Sequence, residues 1–113
     1  MKYMMLIYVP GRPTSPEELQ KAMPVWEAYS KELESRKALI DGAPLADPTS
    51  ATTVRAHNGK PTVTDGPFAE TKEWLGGYYL LDCPTLDDAI ELAGKCPAAK
   101  YGAIEVRPLV EMV

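Results

Sequence analysis

Residues 3–9 read Tyr3-Met4-Met5-Leu6-Ile7-Tyr8-Val9, and both alternating faces of that run are apolar. In an extended chain Tyr3, Met5, Ile7 and Val9 point one way, and Met4, Leu6 and Tyr8 the other. A strand apolar on both faces is normally covered on both, which places this one at the centre of a sheet. A second run of the same kind, Tyr78-Tyr79-Leu80-Leu81, recurs far along the chain. The fold must put these two strands inside.

The segments between them supply the other elements. Ser15-Pro16-Glu17-Glu18 combines an N-cap serine, proline at the first helical position and glutamate at the third, a strong helix start. Leu19, Met23, Trp26, Tyr29 or Ser30, and Leu33 then form one apolar stripe at helical spacing. Pro24 is expected to kink that helix or divide it. Leu39-Ile40 begins a short second strand, closed by Asp41-Gly42 and Pro44, and 46–50 is a linker. Asn58-Gly59 between Thr52–Ala56 and Pro61–Thr64 predicts a β-hairpin, because that dipeptide suits a two-residue turn with positive φ. A long connection from Asp65 to Gly77 leads to the strand at 78–81, with Gly76-Gly77 as a close turn before it. Thr85-Leu86-Asp87-Asp88 opens a second helix with Ala89, Ile90, Ala93 and Cys96 inward, and Ala103 to Leu109 is the last strand.

The order defines an α+β fold. It is the ferredoxin-like βαββαβ sandwich with an extra β-hairpin: one antiparallel sheet with two helices on one face, and residues 1–113 as a single domain. In that plan the first and third main strands are central, as their two-sided apolarity requires. Two helices cover only one face. A second copy of the chain is the expected cover for the other, giving a homodimer through the sheet face.

Composition narrows the function classes. With 113 residues, 45% apolar and 25% charged, the chain has the usual globular balance. A net charge of −4 without a basic run argues against nucleic acid and acidic membranes as partners. The apolar start is followed by Pro10-Gly11-Arg12-Pro13 rather than a small-residue cleavage site, so it reads as a strand and not a signal peptide. No stretch approaches the roughly 20 apolar residues of a membrane span. Cys83 and Cys96 have no metal-type spacing, and two reduced thiols in a cytoplasmic protein are expected. The single histidine, His57, sits beside the hairpin turn, where an exposed and idle side chain is expected. One histidine without a ligand cluster makes zinc improbable, and no phosphate loop or nucleophile elbow is present, so neither metal nor cofactor is expected.

Four places remain as candidates for chemistry. Asp65-Gly66-Pro67-Phe68-Ala69-Glu70-Thr71-Lys72-Glu73 begins with a carboxylate at a strand end and a forced turn, with Phe68 expected to anchor the loop in the core. Such a loop either shapes a turn or presents a carboxylate; long ordered connections often carry function. Ile104 and Val106 should face the helices, which sends Glu105 and Arg107 to the opposite face. There they either line a solvated edge or form the polar lining of a cavity between two sheets. Trp26 and Tyr29 on the first helix either pack the core or line a pocket. Burial of Asp65 separates the readings, since an acid working in a cleft is not a solvated turn residue.

The same residues carry a family resemblance. Residues 63–73 (Val-Thr-Asp-Gly-Pro-Phe-Ala-Glu-Thr-Lys-Glu), Leu75-Gly-Gly-Tyr-Tyr-Leu-Leu-Asp82, Asp87-Asp-Ala-Ile-Glu91 and Ile104-Glu-Val-Arg-Pro108 resemble the DGPF subgroup of the YCII-related family. The likeness runs from Met1 to Leu109. It implies the ferredoxin-like fold and a sheet-to-sheet homodimer. It also implies a small-molecule enzyme of isomerase, lyase or dehalogenase type, with a cleft near Asp65 at the dimer interface. Relatives hold a histidine and aspartate pair in a cleft, and some act on small aromatic-degradation intermediates. Carried onto this chain, Asp65 would be the catalytic acid or base, Arg107 would hold an anionic or aromatic ligand, and Trp26 and Tyr29 would line its pocket. The family's helix reads roughly Pro-x-His-x-x-Tyr, whereas here Pro24-Val25-Trp26-Glu27-Ala28-Tyr29 puts tryptophan at the histidine position. Tryptophan cannot shuttle protons. The rival expectation is therefore a non-catalytic ligand-binding or regulatory module, which the resemblance links to sigma-factor-dependent stress response.

Overall fold

The fold was analysed in a computed structural model, which describes residues 1–11, 15–69 and 71–111. Arg12 and Pro13 of the turn after the first strand, and Glu70 of the loop motif, lie outside the described residues.

The main-strand order follows from the two-sided runs. β1 (Lys2–Val9) and β5 (Trp74–Asp82) lie at the centre of a four-stranded sheet in the order β2-β5-β1-β6, with β2 (Leu39–Pro44) and β6 (Ala103–Pro108) at the edges. Every neighbouring pair is antiparallel. α1 (Pro16–Ser35) and α2 (Leu86–Gly94) connect the strands and cover one face. That face holds the core: Tyr3, Met5, Ile7 and Val9 of β1, Leu81 of β5, Tyr29 and Leu33 of α1, and Ala89, Leu92 and Ala93 of α2 are all buried. This is the ferredoxin-like sandwich with its extra hairpin.

Caps act where the sequence put them. Ser15 Oγ accepts the Glu18 N–H at 3.1 Å, and Thr85 Oγ1 accepts the Asp88 N–H at 3.2 Å. Of the two outcomes expected at Pro24, division does not occur: α1 runs as one helix from Pro16 to Ser35. A proline costs one intrahelical bond and some packing room, and here Tyr29 and Leu33 are buried in the turns beyond it. In α2, Ile90 is exposed and Leu92 takes the inward position.

The strand bounds also differ, for a physical reason. β5 begins at Trp74, so Gly76 and Gly77 lie inside it rather than before it. Ile7 pairs with Gly77 and Tyr8 with Leu75, which leaves Gly76 as the extra residue of a bulge. β2 likewise continues through Gly42 to Pro44. A Cβ at Gly42 would stand 2.6 Å from Tyr79 Cδ1, so the glycine makes room for that ring rather than ending the strand. Pro44 is tolerated because β2 is an edge.

β3 (Thr52–His57) and β4 (Lys60–Asp65) form a separate hairpin, with Asn58 and Gly59 at φ +51° and +79° in its turn. All of β4, and all of β3 except Thr53, is exposed. The hairpin is an arm. It accounts for a radius of gyration of 16.0 Å, against roughly 13 Å for a compact domain of about 100 residues.

Candidate functional site

The apolar stripe of α1 does two jobs. Its C-terminal half buries Tyr29 and Leu33 against the sheet and α2. α2 is short, only nine residues, and among the described residues of α1 the buried ones, Tyr29 and Leu33, lie beyond its N-terminal half. Leu19 and Met23 on that half are exposed, although their spacing alone would have buried them. Beneath them lies a cleft of about 720 Å³ between α1 and the sheet. Ile7, Val9 and Tyr79 line its sheet side; Leu19, Met23 and Trp26 line its helix side. The volume falls within the range of small-molecule sites, and the wall is mainly apolar and aromatic, as such sites are.

One hydroxyl pair marks the cleft. Ser30 Oγ lies 2.9 Å from the Tyr79 hydroxyl. Burial raises the Tyr79 pKa above that of a free tyrosine, with the Ser30 hydrogen bond pulling weakly the other way. Tyr79 therefore stays a neutral phenol at physiological pH, able to donate or accept a hydrogen bond but not to act as an anionic base. Trp26 and Tyr79 are both steadied by Tyr29, whose ring meets each edge to face, at 6.3 and 5.6 Å between centroids.

Tyr29 itself stands behind the wall, not in it. Position 29 turns toward α2, where the hydroxyl donates to the Leu92 carbonyl oxygen at 2.7 Å and is buried. Burial, and then the nearby Cys96 thiol, push its pKa well up. Its hydroxyl is committed to the core. The hydrogen-bonded pair of Ser30 and Tyr79 was not singled out by sequence, nor were Glu27, Lys31 and Glu34, which also line the cleft. The available signal was parity: Tyr79 shares a strand face with Leu81, and a tyrosine on the helix face needs a polar partner.

The remaining sequence candidates lie elsewhere. Asp65 ends β4 opposite Thr52, at the base of the arm, and is exposed. The turn after it is locked: Gly66 at φ +98° donates its N–H to Ala51 O at 2.7 Å, and its carbonyl accepts from Thr53 Oγ1 at 2.8 Å. Phe68 does not anchor the loop in the core. It is 73% exposed, with the Arg55 guanidinium 4.8 Å over its ring, so it packs back on the arm. The loop approaches the cleft by other residues. Pro67, Thr71 and Trp74 help to line a second hollow of about 440 Å³, which shares Val9 and Gly11 with the first. The Asp65 side chain lines neither hollow.

Glu105 and Arg107 pair with Leu6 and Met4 across β6 and β1, which puts them on the face opposite the helices, as alternation with Ile104 and Val106 requires. There Arg107 Nε and Nη2 both donate to Glu105 Oε2, at 3.2 and 3.1 Å. In one protomer the sheet separates this pair from Trp26 and Tyr29. The five residues singled out by sequence thus occupy three places, not one pocket. His57 is exposed on the arm. Among the described residues no group of three or more His, Cys, Asp or Glu could hold a metal ion. No described helix is long and apolar enough to cross a membrane.

A ferredoxin-like sandwich with an open cleft under its first helix describes the class of protein. The particular family follows from comparison: the YCII-related domain matches residues 1–113, and the chain belongs to that family. It is 41% identical over 97 residues to an uncharacterised protein of Rhizobium meliloti (strain 1021), a match covering 84% of this chain and 78% of that one. Among solved structures it is similar to 5-chloro-2-hydroxyhydroquinone dehydrochlorinase from Burkholderia phenoliruptrix AC1100, in complex with 2,5-dihydroxybenzoquinone. The TM-score is 0.51 with 16% identity, over 99% of this chain and 96% of the other. That likeness is one of fold.

Proposed function

We propose that this chain binds a small, flat, mainly apolar molecule in the cleft beneath α1. The carrying observation is the cleft itself: exposed Leu19 and Met23 on its helix side, an aromatic wall at Trp26, the hydrogen-bonded pair of Ser30 and Tyr79, and charged Glu27, Lys31 and Glu34 along the helix. A ring bearing a hydroxyl, carbonyl or carboxylate group suits the aromatic wall and the hydroxyl pair. The exposed position of Asp65 favours binding without catalysis, because a solvated acid at the base of an arm has neither the burial nor the cleft that acid–base work needs. The family's regulatory reading accommodates such a module.

A catalytic version keeps one specific support: the structurally similar dehydrochlorinase acts on a chlorinated hydroxyhydroquinone. In that version the chain is an isomerase, lyase or dehalogenase and Asp65 is its acid or base. A second copy would have to complete the site around Asp65, and Arg107 would hold an anionic group only by exchanging its Glu105 partner for it. The proposal includes a homodimer through the uncovered sheet face in either version, and places the protein in the cytoplasm.

The test is a thermal-shift panel of hydroxylated aromatics, quinones, lactones and muconate-like acids. A ligand at about 100 times its Kd stabilises the folded state by roughly 2.7 kcal/mol, a shift of several degrees. The expected result is a hit whose effect shrinks in Tyr79→Phe and in Ser30→Ala. A panel without a hit, or one whose hits ignore both substitutions, removes the cleft from consideration. Asp65→Asn then separates the two versions: turnover on a hit falls by roughly 10²- to 10⁴-fold if Asp65 transfers the proton, and binding is unchanged in both.

A further inference from the structure

The uncovered sheet face has the anatomy of an interface. Its middle is apolar: Met4, Leu6 and Tyr8 of β1 face the same way as Tyr78 and Leu80 of β5, and all five are half-buried rather than buried. Charges sit beside that centre, as in a polar rim. Glu105 and Arg107 on β6 are the pair nearest the apolar stripe, their registers falling on Leu6 and Met4. They are two residues apart on one strand and therefore on one face. Their side chains remain 40% and 67% exposed, so the bond between them is made at the surface and weakly held.

A positive and a negative group side by side on an edge strand make that surface complementary to itself. A twofold rotation laying β6 against the β6 of another copy brings each arginine over the other's glutamate, which is how an isologous contact closes. An unrelated partner would have to supply the opposite pattern; a second copy has it by symmetry. Asp41 and Asp82 are other carboxylates on this face, and both are already engaged: Asp41 Oδ1 accepts the Gly42 N–H at 2.8 Å, and Asp82 Oδ1 lies 3.4 Å from the Met1 ammonium. Among the described residues Glu105 is held by Arg107 and by no backbone donor, so it can change partner.

We infer that the Glu105–Arg107 pair exchanges partners across a twofold axis, Arg107 of each copy binding Glu105 of the other, and so fixes the register of a sheet-to-sheet homodimer. The inference rests on the sheet-face dimer proposed above and names what aligns it. Burying the pair without that exchange would leave like charges facing one another, a cost that registers shifted along the strand would incur.

The experiment is sedimentation equilibrium on the full chain and on Glu105→Arg, Arg107→Glu and the double swap Glu105→Arg/Arg107→Glu. The wild type should be dimeric at micromolar concentration. Each single reversal should raise the dimer dissociation constant roughly 100-fold or more, the scale of like charges brought together. The double swap should restore it, and mixing the two single variants should yield heterodimers in preference to either homodimer. Circular dichroism checks that each variant is folded; the double swap gives the answer even if one single variant is not. A monomeric wild type overturns both the dimer and this inference. A dimeric wild type whose single variants dimerise equally well, or whose mixture shows no heterodimer preference, overturns this inference alone.

Discussion

The two faces of the one sheet differ in how completely this chain finishes them. On the helix side, Tyr3, Met5, Ile7 and Val9 are buried, with a cleft opening under the N-terminal half of α1. On the other side, Met4, Leu6 and Tyr8 alternate with them along the same strand and stay half-buried, with the Glu105–Arg107 ion pair at the edge. Neighbours one residue apart therefore have different fates. The difference teaches that burial within a chain and apolarity of sequence are separate facts: one strand fills the core with one face and leaves its other apolar face only half covered.

Adjacent residues break the comparison most sharply. Met5→Ala removes a fully buried side chain and should cost about 3 kcal/mol of stability. Leu6→Ala, its neighbour on the other face, should cost about 1 kcal/mol or less in the protomer and weaken the proposed dimer instead. Chemical denaturation at a range of protein concentrations measures both. A loss from Leu6→Ala as large as from Met5→Ala, and independent of concentration, would show that the open face is part of the protomer's own core.

Tyr29→Phe sharpens the helix side. It removes the side-chain donor to the Leu92 carbonyl, which keeps the Lys95 N–H, and should cost about 1 kcal/mol. The cleft should persist, since the ring that supports Trp26 and Tyr79 remains; a loss of ligand binding equal to that of Tyr79→Phe would put the Tyr29 hydroxyl in the site after all. Ser15→Ala removes the cap of α1 and should cost about 1 kcal/mol. A melting curve unmoved by it would mean that the first turn adds nothing to the fold.

Alkaline pH gives a graded version of the same contrast. Burial pushes the Cys96 thiol up to about 11 from an ordinary 9.0, and raises Tyr79 and Tyr29 as well. In the unfolded chain the thiol ionises first, from about pH 9. The stability tied to its protonated form is thus complete below pH 9 and is lost as pH rises through 11. Melting temperatures between pH 8 and 10.5 should fall, and fall less steeply in Cys96→Ala. An identical slope in that variant would relieve Cys96 of the effect.

Much of this fold was legible because its strongest signals are local. Two strands apolar on both faces, one Asn-Gly turn and two capped helix starts fix the order of elements and place β1 and β5 at the centre. The errors came where a local sign has a tertiary cause. Gly76-Gly77 looked like punctuation before a strand, but one is a bulge and the other lies where the Ala43 carbonyl oxygen would stand 3.0 Å from a Cβ. Phe68 looked like an anchor until Arg55, from the neighbouring strand, supplied a surface partner. The site was half legible. Trp26 could be read from helical spacing, whereas the Ser30–Tyr79 pair joins residues 49 positions apart and exists only once the sheet is formed.

The most direct test of the account follows ligand contact along both faces at once. The best-stabilising compound of the panel should be titrated into the isotopically labelled protein while backbone and tryptophan indole resonances are followed by NMR. Shifts concentrated at Trp26, Ser30, Tyr79 and Val9, with Leu6, Glu105 and Arg107 unmoved, are the predicted result. Shifts centred on the Glu105–Arg107 edge or on the Asp65 turn, with the Trp26 indole silent, would contradict it.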